Sequence, residues 1–286
     1  MSAQFEIKNL IKDGIEKLQN AEGLDANVDA WLLAEEVFGI TRAQYFINPK
    51  RVVDKAEADR FLKYIDLRCK KIPLQHITGK QEFMGLTFNV NENVLIPRQD
   101  TELLVEHVLK YIKQNMYGRK VKVLDMCTGS GCIAISIKKL VENVDVTAVD
   151  LSEKALEVAE NNAKQLDGGV TFIKSDLFEN VTGKYDIIVS NPPYISKSDI
   201  ETLMDEVKNH EPMMALDGDE DGLKFYRNIS ERLNEYLSEG GMIFYEIGYD
   251  QGKTVPEILR KYNFKDINVY KDLSENDRVV IARKGE

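Results

Sequence analysis

Two hydrophobic patterns divide the chain near residue 72. Before that point, apolar residues recur every three or four positions, as on one face of a helix. The clearest series is Phe5, Ile7, Leu10, Ile11, Ile15 and Leu18. Residues 28–37 and 61–67 repeat the pattern, with Asp25 and Asn27 as alternative N-caps for the second helix. The spacing predicts a small helical domain over residues 1–72, with Trp31 in its core.

Residues 73–96 have a different character. Pro73, Gly79 and Gly85 separate short apolar runs such as residues 86–90, which predicts a β-hairpin linker. Pro97 then precedes an amphipathic helix that carries Leu104 and Val108.

From Lys120 onward, predicted strands alternate with predicted helices. The strands are residues 121–124, 144–149, 170–173, 186–189 and 241–247, and the helices are 133–140, 153–164, 223–237 and 254–261. Residues 264–270 and 278–282 are expected to close the sheet as an antiparallel pair. The alternation predicts an α/β domain over residues 97–286, with a mostly parallel sheet covered on both faces.

Composition narrows the class of protein. The 286 residues are 43% hydrophobic and 30% charged, which is typical of globular proteins. Residues 1–80 carry 13 Lys and Arg against 12 Asp and Glu, whereas the remainder carries 25 against 36. This acidic second part argues against a surface that tracks nucleic-acid phosphates. The one basic cluster is either a solvated helix face or a contact for an acidic protein or RNA: Arg60, Lys63, Arg68, Lys70 and Lys71.

Cysteine usage and the absence of long apolar runs bear on location. Cys69, Cys127 and Cys132 are too few for a disulfide framework or a four-ligand zinc site. The first ten residues include polar side chains of both charges, and no run approaches the roughly 18 apolar residues of a membrane helix. We therefore expect a cytoplasmic protein without a metal site and without membrane contact.

The most informative motif is Asn191-Pro192-Pro193-Tyr194, directly after a predicted buried strand. Two prolines cannot continue a central strand, so the chain must turn there. The carboxyl edge of an open α/β sheet is where ligands bind. An Asn amide oxygen and proline carbonyls could hold the two hydrogens of a planar NH2 group, while the Tyr ring covers its plane.

A second motif follows the first strand of the α/β domain. The loop comprises Asp125, Cys127, Thr128, Gly129, Ser130 and Gly131, and its glycines allow close backbone approach to a ligand. Asp150, at the end of the next strand, can accept hydrogen bonds from ribose hydroxyls. Asp176 and Leu177, after the third strand, can flank an adenine.

Two other interpretations of these motifs fit the sequence less well. Residues 129–134 fit the dinucleotide pattern G-x-G-x-x-A, but the Asn191 turn has no role in hydride transfer. S-adenosylmethionine, which has a ribose and no pyrophosphate, gives both motifs a purpose. Residues 217–222 resemble the start of a calcium loop, but Asn228 stands where that loop needs a Glu. We therefore interpret them as an acidic turn.

Further segments resemble one family over nearly the whole chain. They are Pro73-Leu74-Gln75-His76-Ile77-Thr78-Gly79, Leu95-Ile96-Pro97-Arg98, the loop of residues 125–132, and Asn191-Pro192-Pro193-Tyr194-Ile195. Together they resemble the release-factor glutamine methyltransferases of the PrmC or HemK type. The Asn-Pro-Pro-Tyr motif also occurs in amino-methyltransferases of DNA and RNA, so the first two segments make the resemblance specific.

The resemblance implies a seven-stranded Rossmann-like methyltransferase domain behind a helical substrate-recognition domain. It implies methylation of the glutamine side-chain amide in the Gly-Gly-Gln motif of class I release factors. Apart from the resemblance, we expect a monomer without direct nucleic-acid contact. Residues 127–131, Asp150 and Leu177 would bind the cofactor. Asn191 would lie near the methyl donor, and residues 191–194 would hold the substrate glutamine, with Asn191, Pro192 and Tyr194 as catalytic residues.

The chain departs from the family pattern at two positions. Cys127 stands where the family usually has Gly, and Gln99 replaces a common Pro. Two rival functions also remain open: an amino-methyltransferase acting on a flipped nucleic-acid base, and a cofactor-binding partner protein without catalysis. The acidic second part opposes the first rival, and the intact Asn191 and Tyr194 oppose the second.

Overall fold

The computed structural model describes residues 5–285, which form two compact units. The smaller unit contains the chain up to Gly79 together with Met204–His210. The larger unit contains Lys80–Leu203 and the chain from Glu211 onward. The functional domain boundaries suggested by the sequence, at residues 72 and 96, remain a proposal beside this division by packing.

The smaller unit is helical, as the apolar spacing predicts. Its elements are α1 (Ile7–Gln19), α2 (Ala26–Phe38), α3 (Arg42–Ile47), α4 (Lys55–Cys69), α5 (Leu74–Thr78), and an antiparallel pair of β1 (Phe5–Glu6) with β2 (Val52–Val53). Asp25 is the N-cap of α2 and accepts from the Val28 amide. Gly14 allows α1 to lie close to α4, since an added Cβ would be 3.1 Å from Phe61 and Ile65. Trp31 packs against this core.

Arg68 corrects the expectation of a solvated basic face on α4. Its side chain is 7% exposed; Nε donates to Asp29 at 2.7 Å and Nη1 donates to Glu206 at 2.7 Å. Lys71 pairs with Asp205 in the same segment, and Arg60 donates to the Val37 carbonyl. No local pattern indicates these pairs, because 39 and 138 positions separate Arg68 from its two acidic partners.

The larger unit begins with the predicted hairpin and continues as alternating strands and helices. Its elements are β3 (Lys80–Phe83), β4 (Leu86–Asn89), α6 (Gln99–Asn115), β5 (Val121–Met126), α7 (Cys132–Leu140), β6 (Val144–Asp150), α8 (Glu153–Leu166), β7 (Thr171–Lys174), β8 (Tyr185–Ser190), α9 (Lys197–Ile200), α11 (Lys224–Tyr236), β9 (Leu237–Glu246), α12 (Thr254–Lys261), β10 (Lys265–Lys271) and β11 (Asp277–Arg283). The short α10 (Asp205–Lys208) lies in the segment that belongs to the smaller unit.

Seven of these strands form one sheet in the order β10-β11-β9-β8-β5-β6-β7. Strands β5 to β9 run parallel, and β11 runs antiparallel to both β9 and β10. This confirms the predicted α/β class, the seven strands and the antiparallel closing pair. The hairpin of β3 and β4 places Phe83 and Phe88 in the core of the larger unit.

Alternate residues of each central strand enter different cores. Val123 of β5 packs in a cluster with Val108 of α6 and Ile135 of α7. Its neighbour Leu124 packs in a second cluster with Leu233 of α11. Strands that are buried on both faces need such continuous apolar runs.

The chain order reverses beside β5, which lies between β6 and β8. Because these strands are parallel, Met126, Asp150 and Ser190 end at the same edge of the sheet. This is the switch point at which open α/β sheets bind ligands. Among residues 5–285, no helix is long and apolar enough to cross a membrane.

Replacing Arg68 by Met should destabilise the smaller unit by about 3–5 kcal/mol, because Asp29 would keep a buried charge without its partner. Urea unfolding followed by circular dichroism measures the change. Lys12→Met is the matched control, since Lys12 forms an exposed pair with Glu16 worth about 0.5 kcal/mol or less. Equal losses in the two variants would contradict a structural role for the buried pair.

Candidate functional site

The loop after β5 is shaped by residues with left-handed backbone. Gly129 has φ of 54°, lines a cavity of about 230 Å³, and has no other atom within 4 Å of the position of an added Cβ. Gly131 has φ of 81°, but an added Cβ there would be 2.9 Å from Ile135 and 3.1 Å from Ala159. Gly129 therefore keeps open the wall that a ligand can approach, whereas Gly131 lets the loop pack against α7 and α8.

Asp125 supports this loop through hydrogen bonds on its buried side. Its carboxylate is fully buried and accepts from the Thr128 hydroxyl at 2.6 Å and from the Ala134 amide at 3.2 Å. Burial raises the pKa of Asp125 to about 7, and the hydrogen bond from Thr128 opposes that rise. Asp125 is not among the residues that line the cavity, unlike Cys127, Thr128, Gly129 and Ser130.

Asn162 of α8 is a support that the sequence analysis missed. It is fully buried, and its amide donates to the carbonyls of Asn89 and Ser130, both at 3.0 Å. Its Oδ1 accepts from the Asn89 amide at 2.7 Å. Asn162 therefore ties the end of the hairpin to the glycine loop, and no local pattern around it signals that role.

Asp150 lines the cavity directly beside the glycine loop. Its two oxygens accept from the Gly129 and Ser152 amides, each at 2.9 Å. Burial raises its pKa above the ordinary value, and these backbone bonds oppose the rise. Asp176 and Leu177 also line the cavity, and Leu177 has an unusual φ of 47°. The predicted loop residues, Asp150, Asp176 and Leu177 thus meet at one edge.

The turn after β8 brings Asn191 to the same cavity. Asn191 and Pro193 line it, and the Asn191 Nδ2 donates to the Thr101 hydroxyl at 3.2 Å. Pro192 is buried, and Tyr194 packs against the second apolar cluster. Neither of these two residues is among the cavity lining, so only half of the predicted motif faces the cavity directly.

The backbone of Tyr194 is held from the other side. Gln251 donates to the Tyr194 and Gly222 carbonyls at 3.1 and 3.2 Å, and it accepts from the Gly248 amide at 2.9 Å. An added Cβ at Gly218 would be 2.9 Å from the Tyr194 backbone. The acidic turn therefore contains glycines because it packs directly against the Asn191–Tyr194 turn. Its acids pair with neighbouring cations, as in Asp219 with Lys197.

Several walls of the cavity were not predicted as site residues. They are contributed by three parts of the larger unit: Glu92, Asn93, Val94, Leu95, Pro97, Arg98 and Thr101; Pro212, Met214 and Ala215; and Phe225. Arg98 forms an ion pair with the buried Glu211. The Leu95–Arg98 segment carries family resemblance but no chemical signal of its own, and Phe225 has no distinguishing pattern around it.

The two thiols near the loop are unsuited to nucleophilic chemistry. Burial raises the pKa of Cys132 to about 12, and burial with the nearby Asp150 raises that of Cys127 well above its ordinary value. Cys127 also has φ of 64°, which favours the glycine usual at this position of the family. Both thiols are protonated at neutral pH, so they act as packing groups.

Two family descriptions match parts of the chain. Residues 98–210 match the Methyltransferase small domain, and residues 9–79 match the PrmC N-terminal domain. The methyltransferase from Pyrococcus furiosus is 18% identical with a TM-score of 0.52, covering 82% of this chain and all of that one. That similarity supports the fold alone.

Curated relatives match the chain over almost its full length. The release factor glutamine methyltransferase of Clostridium botulinum is 41% identical and covers 97% of this chain and 99% of its own length. That of Clostridium acetobutylicum is 44% identical over 90% and 91% of the two chains. The resemblance inferred from the motifs is confirmed, and this chain belongs to the family of release factor glutamine methyltransferases.

Proposed function

We propose that this protein transfers a methyl group from S-adenosylmethionine to the side-chain amide of the glutamine in the Gly-Gly-Gln motif of class I release factors. The observation that carries the proposal is the position of Asn191. Its amide NH2 is engaged by Thr101, while the residue lines the cavity formed by the glycine loop and Asp150. The relatives named above support the substrate.

The residues present fit S-adenosylmethionine. Gly129 leaves room for close approach, Asp150 can accept from ribose hydroxyls, and Leu177 with Asp176 can flank the adenine. Bound there, the cofactor supplies a methyl group on a positively charged sulfur. The acidic carboxylates of the cavity and its apolar walls suit a ligand with one cationic centre and one aromatic base.

An amide nitrogen is a poor nucleophile because its lone pair is delocalised into the carbonyl group. We propose that the Asn191 Oδ1 and the Pro192 carbonyl accept the two amide hydrogens of the substrate. Those bonds increase electron density on nitrogen and fix its direction of attack. Tyr194 packs against the second apolar cluster and supports the turn from its buried side, and its hydroxyl stays neutral because burial raises its pKa.

Positioning supplies much of the remaining rate, since aligned reactants avoid the entropic cost of meeting. Fixed dipoles around the cavity stabilise the charge that moves during transfer. The substrate nitrogen gains a carbon and loses one proton, which passes to water. This account needs no strong base. It assigns the reaction to the cytoplasm, where release factors act, and to a monomer.

The substrate class is tested with methyl-labelled S-adenosylmethionine and four separate acceptors: release factor, transfer RNA, ribosomal RNA and duplex DNA. We expect label only in release factor, because the relatives named above are release factor glutamine methyltransferases and the larger unit is acidic. Scintillation counting followed by peptide mass spectrometry locates the label. Label confined to nucleic acid would replace this function by the amino-methyltransferase alternative.

Replacing Asn191 by Ala should lower kcat by about 100- to 1,000-fold, the usual cost of losing one fixed polar contact to the reacting group. The dissociation constant for S-adenosylmethionine should change little, because the loop and Asp150 remain. Single-turnover kinetics and calorimetry measure the two quantities. Asn115→Ala, at an exposed position of α6, is the control; wild-type turnover in Asn191→Ala would refute the mechanism.

Replacing Asp150 by Ala should weaken S-adenosylmethionine binding by about 10- to 100-fold, since hydrogen bonds to a charged group contribute about 1.5–3 kcal/mol. Asp145→Ala is the control, because Asp145 lies on the same strand but is exposed and pairs with Lys120. Titration calorimetry on both variants decides the matter. Unchanged affinity in Asp150→Ala would contradict the proposal that Asp150 binds the ribose hydroxyls.

A further inference from the structure

Glu246, the last residue of β9, is a buried acid that the proposed mechanism does not use. Glu246 is 1% exposed, and its Oε2 is fully buried without a hydrogen-bond partner among residues 5–285. A buried carboxylate oxygen without a partner is costly. Such a group persists where the surrounding structure or the function needs it.

The other neighbours of this carboxyl group belong to the candidate site. Burial raises the pKa of Glu246 to about 7, while hydrogen bonds from the Thr101 hydroxyl and the Asn191 amide oppose the rise. The Asn191 Nδ2 also donates to the Thr101 hydroxyl at 3.2 Å. Ser190 of β8 pairs with Tyr245 of β9, so Asn191 and Glu246 follow paired positions of adjacent strands, and Thr101 is bonded to Asn191 at the same edge.

An ionised carboxylate can only accept hydrogen bonds, whereas an Asn side chain has a donating end and an accepting end. A carboxylate next to Asn191 therefore favours one of its two amide orientations. The NH2 group donates to the Thr101 hydroxyl, which leaves the Oδ1 available to a ligand in the cavity that Asn191 lines. The Thr101 hydroxyl reinforces this choice, since it can accept from Asn191 and donate to Glu246.

We propose that Glu246 is a positioning residue, which acts with Thr101 to hold the Asn191 oxygen toward the substrate amide. The inference rests on the proposed function, because that oxygen is the acceptor for one substrate hydrogen. Glu246 does not touch the substrate and takes no proton from it. Its effect is to fix which end of Asn191 the substrate meets.

The direct test is Glu246→Gln, which preserves shape but can both donate and accept. We expect kcat to fall about 10- to 100-fold, as a misplaced reactive contact does, with KM for release factor and cofactor affinity changed less than about threefold. Glu239→Gln is the matched control, an exposed position on the same strand. Wild-type kcat in Glu246→Gln would overturn the inference.

Two substitutions of Thr101 give a second test, one that removes the hydroxyl group and one that restores it. Thr101→Val keeps the volume but removes the hydroxyl, so kcat should fall as in Glu246→Gln. Thr101→Ser restores the hydroxyl and should recover most of that loss. Equal activity of the Val and Ser variants would contradict a role for the hydroxyl, and thermal unfolding of each variant separates loss of fold from loss of orientation.

The pH profile distinguishes positioning from packing. A carboxyl group whose pKa is raised to about 7 is ionised at higher pH and protonated below it. Protonated Glu246 can donate to Thr101, which frees the hydroxyl to donate to the Asn191 oxygen. Wild-type kcat should therefore fall as pH drops through 7. Besides burial, the groups that shift the pKa of Glu246 are Asp100, Thr101, Asn191 and Arg278. The Glu246 charge in turn raises the pKa values of Cys132, Tyr194 and Tyr226.

The Glu246→Gln variant should lose this decline. Asp125, whose pKa is also raised to about 7, is present in both proteins, so only the difference between the two profiles reports on Glu246. Identical profiles would contradict the inference.

A measurement without turnover separates this inference from the proposed function. In ¹⁵N-labelled protein, the side-chain NH2 of Asn191 is assigned by its absence in Asn191→Ala. We expect its protons to be shifted downfield and protected from exchange, and to lose both properties in Glu246→Gln. Unchanged signals would refute the inference. If they change as expected but wild-type protein does not methylate release factor, only the proposed function fails.

Discussion

The hydrogen bond from Asn191 to Thr101 joins the turn after β8 to helix α6, and the site depends on this contact. Asn191 follows β8 at the centre of the sheet, and Thr101 lies in the first turn of α6, 90 positions earlier. This contact engages one end of an amide whose other end can then serve a ligand. Without it, the Asn191 amide would lose one of the two contacts that we propose to fix which end meets the cavity.

The rest of the Asn191–Tyr194 turn is held by Gln251 and by the acidic turn of residues 217–222. This contact gives the acidic turn a structural role. Gln251 binds the Tyr194 and Gly222 carbonyls, while Gly218 and Gly222 allow the acidic turn to approach the Tyr194 backbone. The turn therefore lies between α6 and the acidic segment. A stiff Pro-Pro pair needs such support on both sides if its first residue is to keep one orientation.

Much of the fold was predictable because short-range patterns of apolar and polar residues determine the helices and strands. Alternating apolar runs and amphipathic segments indicated the strands and helices from Val121 onward, and the glycines after β5 indicated where the backbone must approach a ligand. Asp150 and Asn191 could be assigned to one edge because parallel strands bring their carboxyl ends together. The other parts of the site depend on long-range contacts. Thr101, Asn162 and Gln251 reach partners 29 to 90 positions away, and no local pattern reveals such partners.

Burial also changed the interpretation of individual charges. Arg68 belonged to an apparent basic face, yet it is buried and paired with Asp29 and Glu206. Glu246 continued an ordinary strand pattern, yet its carboxyl group is buried beside the site. Charge read from sequence gives the sum over a segment, whereas the chemistry of a site depends on which charges lose contact with water.

The central claim is that two acceptors hold the substrate amide, one of them the Asn191 oxygen. The most direct measurement is an NMR spectrum of this protein with S-adenosylhomocysteine and a release-factor domain ¹⁵N-labelled at the Gly-Gly-Gln side-chain amide. The account predicts that both amide protons shift downfield on binding, and that one shift is lost with Asn191→Ala. Amide protons that remain at their free positions in the bound complex would contradict it.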